Sequence, residues 1–215
     1  MKLVIAIASG ALCTAGLLAA GPARAQQGAP MGRSPMSDKP ATITSVLDTQ
    51  LTIEEHEIEG LADAMPEDKY SFAPTNGEFK GVRTFAQQVK HIATTNDRFY
   101  GGILGQPPAT PASQFEAENG PDSIQTKAQI MQYLKDSFAL GHKAIATINA
   151  DNAFVPMQKP PTPFLRTPAA TVIFGCTHAM DHYGQMVEYL RDNGIVPPAS
   201  RQRPPANPAG QSGHK

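Results

Sequence analysis

Residues 178–185 read HAMDHYGQ, which sets His178 and His182 four positions apart in a chain with six histidines. On a helix, residues at i and i+4 project in nearly the same direction, so two imidazoles at that spacing can reach one ion. A third imidazole from another helix would complete one face of a coordination shell, and His91, in VKHIA, stands at the edge of a second apolar stripe. Three neutral histidines leave one to three positions open for water or substrate, the arrangement of a reactive site and not of a closed structural one. The set suits Zn²⁺ or Ni²⁺ better than Fe²⁺ or Mn²⁺, since no obvious carboxylate ligand accompanies it. Histidines at i and i+4 also occur on ordinary solvated helix edges, so spacing by itself leaves both readings open. HAMDH is one substitution from the inverted protease motif His-x-x-Glu-His, but Asp181 is shorter than the required glutamate and falls opposite the apolar centre.

Other residues of chemical interest weigh less. Cys176 precedes His178 by two positions, points at the centre of its helix's apolar face and reads as a small buried hydrophobe. His142 sits on the flank of a stripe, as a half-buried surface residue or one serving a pocket, and His56, among Glu54, Glu55 and Glu57, reads as solvated. His214 lies near the C-terminus. Of the polar neighbours of the pair, Gln185 shares its flank and is the first choice for orienting an imidazole through its free N–H. The segment 67–81, EDKYSFAPTNGEFKG, is long for a bundle connection, and its part 70–81 could arch over the site with Tyr70, Phe72 or Glu78, the last being the one general-base candidate.

Four stretches with helical spacing must position these groups, and no run alternates apolar and polar residues as a sheet strand would. The first spans about Thr42 to Ala64 and is stopped by Pro66; the second spans about Val82 to Leu104. The third runs from Ser123 or Thr126 to about Asn149, and the fourth from about Pro168 to Asn193, with Gly194 and Pro197 beyond its end. On the fourth, His182 lies about 80° and His178 about 120° from the apolar centre; His91 lies about 120° from Phe85 on the second. The three rings therefore meet if those two helices are neighbours. Four amphipathic helices with one apolar face each are satisfied by an all-α four-helix bundle over residues 41–196.

The chain opens MKLVIAIASGALCTAGLLAAGPARA, with Lys2, an apolar stretch to about Ala20 and the small-x-small triplet Ala23-Arg24-Ala25, the layout of a signal peptide spanning residues 1–25. The apolar stretch is broken by Ser9, Gly10, Thr14 and Gly16, which favours cleavage over a membrane anchor, and Leu12 before Cys13 does not fit a lipidation site. The expected product is a soluble exported protein, most simply periplasmic. Losing Lys2 and Arg24 takes the formal charge from −1 to −3, and no basic stripe remains to neutralise the phosphates of a nucleic acid. Cys176 would then be the single cysteine, which excludes an intramolecular disulfide. Segments 26–40 and 197–215, rich in Pro, Gly, Ser and Gln, read as a disordered linker and tail.

The order of these features resembles the DinB-like superfamily, also described as DinB/YfiT-like, of four-helix-bundle metalloproteins. Tyr70-Ser71-Phe72-x-Pro74, then Val89-Lys90-His91-Ile92, then His178-x-x-x-His182-Tyr183-Gly184-Gln185 occur in the family's order, over about residues 42–201. The resemblance implies a metal held by His91, His178 and His182. It also implies kinship with thiol-dependent transferases and isomerases, although their small cofactor thiols are chiefly cytoplasmic and this chain reads as exported. The expectation is thus an exported protein that binds zinc or nickel and activates a bound water or thiol on a small-molecule substrate. The alternatives are a non-catalytic periplasmic protein binding a metal or small ligand, and a structural bundle that forms a homodimer through a helix face.

Overall fold

The structure, a computed structural model, describes residues 40–107 and 116–201; the expected signal peptide, the linker up to residue 39 and the tail beyond 201 lie outside them. Among the described residues there are four α-helices and no strand: α1 (Ile43–Ala64), α2 (Phe85–Ile103), α3 (Lys127–Ile145) and α4 (Pro168–Asp192). None of these helices is long and apolar enough to cross a membrane. α2 packs against α3 and α4, and α1 packs against the same two, so the bundle is a ring in which α2 and α4 are neighbours. That adjacency is what the three histidines required.

Every helix begins on a threonine. Thr42, Thr84 and Thr126 each accept the backbone N–H three residues on, and Ser45, Gln87 and Gln129 return a bond to the cap's own N–H. Thr167 caps α4 in the same way ahead of Pro168, whose missing donor is harmless in the first turn. The box at Thr84 explains why α2 starts at Phe85 and not at Val82, since Val82 and Arg83 precede the cap. α3 stops four residues short of Asn149 because the side chains of Asn149 and Asn152 take over the backbone groups there, and the Thr44 hydroxyl of α1 takes the Ile148 carbonyl.

The core is filled by Leu51, Ile58 and Leu61 of α1, Phe85, Val89 and Ile92 of α2, Leu134 and Phe138 of α3, and Val172, Met186 and Leu190 of α4, all without solvent exposure. Each such side chain stabilises the fold by about 1.5–3 kcal/mol relative to exposure. Pro198–Ser200 form a short 3-10 turn near α1 with Pro197 buried beneath it, so order extends a few residues past the point where the composition suggested a disordered tail.

Two connections matter for the site. The segment after α1 turns through Glu67–Lys69 and drops Tyr70 into the core, where its hydroxyl donates to the Ala62 carbonyl at 2.8 Å and its ring meets Phe85 edge-on at 5.2 Å. Its carbonyls at Tyr70 and Phe72 accept the N–H groups of Ala86 and Phe85. The segment before α3 instead lies along α2. Gly120 makes this close approach feasible: at φ +77° it adopts a backbone that side chains disfavour, and a Cβ there would stand 2.8 Å from the Lys90 Cβ. Lys90 then donates to the carbonyls of Pro121 and Ile124 at 3.0 and 3.3 Å.

Candidate metal centre

α2 contributes His91 and α4 contributes His178 and His182, and one nitrogen of each lies within 4.8 Å of the other two. The Nε2 of His178 stands 3.3 Å from the Nε2 of His91 and 3.3 Å from that of His182. A tetrahedral shell with metal–nitrogen bonds of about 2.0–2.1 Å sets its donors about 3.3–3.4 Å apart, so these separations suit such a shell. His91 and His182 are only 3% and 6% exposed, deeper than the seam position that helical geometry suggested. His178 is half-buried, stacked on Phe174 with ring centres 6.0 Å apart.

The protons on these rings follow from their outer partners. His91 Nδ1 is 2.7 Å from the backbone carbonyl of Glu118, an acceptor only, so Nδ1 carries the hydrogen and Nε2 the lone pair. For His182 the argument runs through three side chains. Asp181 is a carboxylate, so the Gln185 Nε2 beside it at 2.9 Å donates. Gln185 Oε1 must then accept from Gln88 Nε2 at 2.9 Å, leaving Gln88 Oε1 to accept from His182 Nδ1 at 2.8 Å. Both rings thus turn a lone pair toward His178. The Nδ1 of His178 is shielded from solvent and has no partner among the described residues. Inward lone pairs with the hydrogens tied outward are the state in which imidazoles ligate a cation, and these residues fit one.

Electrostatics favour the neutral rings. Burial, helped by the charge of Arg83, lowers the His91 pKa to about 4. Burial and the two neighbouring imidazoles lower that of His182 to about 3, and burial also lowers that of His178, with Asp181 opposing. All three are deprotonated at neutral pH, as ligation demands.

Sequence reasoning placed Gln185 at the first rank of orienting residues; it acts one step removed, through Gln88. Gln88 itself was missed, although a glutamine three residues before a histidine at a stripe's edge is the signal that could have found it. The Glu118 carbonyl was missed too, and its carboxylate pairs with Arg98 at 3.1 Å and Arg83 at 3.8 Å, fastening the segment over His91. The expectation that the 70–81 loop arches over the site through Tyr70, Phe72 or Glu78 meets a different arrangement: Tyr70 is core, Phe72 packs on Tyr189, and Glu78 is exposed. Cys176 is buried as expected, and His56 is exposed. His142 lies away from the triad, clasped between Asp48 at 2.7 Å and Glu55 at 3.1 Å.

A helical bundle with three histidines, donated by its second and fourth helices and able to hold a metal ion, defines the class. The profile of the DinB superfamily matches residues 50–186, and the chain belongs to that superfamily. Its fold is similar to that of a conserved protein from Enterococcus faecalis, at 14% identity and a TM-score of 0.56, covering 71% of this chain and 97% of that one. It is also similar to a protein from Escherichia coli UTI89, at 13% identity and a TM-score of 0.55, covering 73% and 97%. No curated protein matches the chain significantly.

Proposed function

We propose that the protein is an exported metal-dependent enzyme acting on a small molecule, with His91, His178 and His182 holding a zinc or nickel ion. The observation that carries this reading is the pair of 3.3 Å separations between Nε2 atoms whose neighbours' Nδ1–H groups are committed elsewhere. A dication held there would act as a Lewis acid and bring a water or thiol bound beside it toward its reactive anion at neutral pH. Export favours water over a cofactor thiol. The chain's own part is to keep three rings neutral, to fix the tautomers of His91 and His182 through Glu118 and Gln88, and to shield the donors with Phe99 and Phe174, which pack on His178.

A second reading, a non-catalytic periplasmic binder of metal or small ligand, has an observation in its favour. The acidic groups nearest the triad are already engaged, Glu118 by two arginines and Asp181 by Gln185, so neither stands ready as a general base. Elemental analysis of protein purified without chelator, beside His178→Ala and His182→Ala, tests what the two readings share. Stoichiometric zinc or nickel in the parent and its loss in both variants is the expected result; metal-free parent protein defeats the enzyme and the metal binder alike and leaves only a binder of a small ligand. Turnover of ester, amide or thiol-acceptor substrates by the loaded protein separates the enzyme from the binder. Mass spectrometry of protein from a periplasmic extract tests export, with Gln26 the expected first residue.

A further inference from the structure

We propose that the cavity at the C-terminal end of α2 binds the anionic end of a small molecule, a carboxylate or phosphoryl group, through Arg98 and Lys159. As a statement about substrate class this rests on the metal reading, but the anion site itself requires no metal. The cavity measures about 480 Å³ and is lined by Arg98, Gly102, Gly105, Gln106, Lys159 and Pro160. Arg98 is its unusual member. The side chain is 11% exposed, one arm of its fork donates to Glu118 Oε1 at 3.1 Å, and its Nε and Nη2 are shielded from solvent with no partner among the described residues. Buried guanidinium donors without an acceptor are costly, and a planar fork matches a carboxylate or phosphate edge.

Lys159, exposed, also lines the cavity. Its loop is held in place, because the Met157 N–H donates to the Arg166 carbonyl at 2.7 Å and Pro161 lies so close to Gly102 that a Cβ there would stand 2.9 Å from its own Cβ. The cavity and the triad each take a residue from α2. Arg98 follows His91 by seven residues, two turns along the same flank of α2 and about 10 Å away, and Glu118 bridges them, with its carboxylate on Arg98 and its carbonyl on His91. A ligand anchored by its anionic end at Arg98 would extend back along α2 toward the histidines.

Titration calorimetry of the full chain at about 0.15 M chloride, where weak surface attraction is largely screened, reads this directly. The probes are succinate, inorganic phosphate and the uncharged diamide of succinate, each on chelator-treated and on zinc-loaded protein. Saturable binding of at least one anion to both forms is expected, with no binding of the diamide. Arg98→Gln and Lys159→Gln should each weaken it by about tenfold or more, the loss typical of one charge-assisted contact. Arg98→Gln also frees Glu118, so Lys159→Gln, on an exposed side chain, is the variant that leaves the fold untouched. Absence of anion binding to the parent, or equal affinity in Lys159→Gln and parent, overturns the proposal. Zinc content measured in the same samples keeps the outcomes apart. Anion binding without metal retains this site and removes the metal reading, while metal without anion binding does the reverse.

Discussion

Gln88 is the residue on which the tautomer of His182 depends, and its replacement gives a sharp test. The side chain is 1% exposed, accepts from His182 Nδ1 at 2.8 Å and donates to Gln185 at 2.9 Å. Gln88→Met keeps much of the volume and removes both contacts. In the metal-free protein the buried His182 Nδ1 and the half-buried Gln185 lose a partner, at about 1–3 kcal/mol for a group that water cannot reach. For a domain of this size that is about 2–4 °C in Tm per kcal/mol. The effect on metal is separate. A ring no longer held as the Nδ1–H tautomer can carry its hydrogen on Nε2, where it blocks ligation, and loss of such an outer contact weakens metal affinity about 10–100-fold. Gln88→Glu is the control, since a carboxylate retains the acceptor and should hold or raise the affinity. Competition titration with a chromophoric chelator measures binding, and urea denaturation of the chelated protein measures stability. If Gln88→Met binds zinc as the parent does, the hydrogen-bond chain from Asp181 to His182 does not set the tautomer, and the argument for a preorganised site is wrong.

Three further outcomes follow from the structure. Glu54 is wholly buried, its oxygens lack full hydrogen bonds, and burial raises its pKa from 4.5 to about 7, only partly offset by the nearby Cys176 thiol. The folded state therefore keeps a proton that the unfolded chain releases, so stability is lost as pH rises from 4.5 through 7, by up to about 3 kcal/mol. Glu54→Gln should remove that slope and be the more stable form above pH 7; chemical denaturation across pH 5–9 checks it, and parallel curves would refute it. His142 is drawn down by burial but raised on balance by Asp48 and Glu55, so its clasp between α1 and α3 holds below the ordinary histidine pKa and is lost as pH rises through the raised value. His142→Gln should lower thermal stability at pH 6 and little at pH 9, and an equal loss at both would exclude a charged clasp. Gly120→Ala forces a side chain into a φ of +77° and against Lys90, so it should lift the segment from α2, costing about 1–3 kcal/mol and weakening zinc binding as well. Unchanged zinc affinity in that variant would mean that the segment does not hold His91.

The bundle and two-thirds of the donor logic were legible in the sequence for local reasons. Threonine caps, proline stops and apolar periodicity act within a few residues of themselves, and His178 and His182 share a helix. Joining His91 to them needed either the neighbour relation of α2 and α4 or the family resemblance, because spacing says nothing of how rods are arranged. What sets the tautomers was hidden for two reasons. Every residue has a carbonyl, so nothing marked that of Glu118; and a glutamine at the edge of an apolar stripe looks like any solvated residue until its partner across the interface is seen. Glu54 shows the same limit in reverse. Set among Glu55, His56 and Glu57 it reads as solvent-facing, yet its position, three residues after Leu51 and four before Ile58, turns it to the interior. Tyr70 and Phe72 drew attention as site residues because aromatic loops often line sites; they are instead the plug under the start of α2.

The two outer bonds of the triad differ in their exposure to genetic change. The partner of His182 is an amide side chain, which a single base change at codon 88 can abolish. The partner of His91 is main chain, so a replacement at 118 leaves that oxygen in the chain and acts through the lost carboxylate pairs with Arg98 and Arg83, which hold the strap in its path. Replacements at 118 should therefore loosen the strap without removing the oxygen, whereas a replacement at 88 removes the acceptor itself, and insertions or deletions should be penalised at both places.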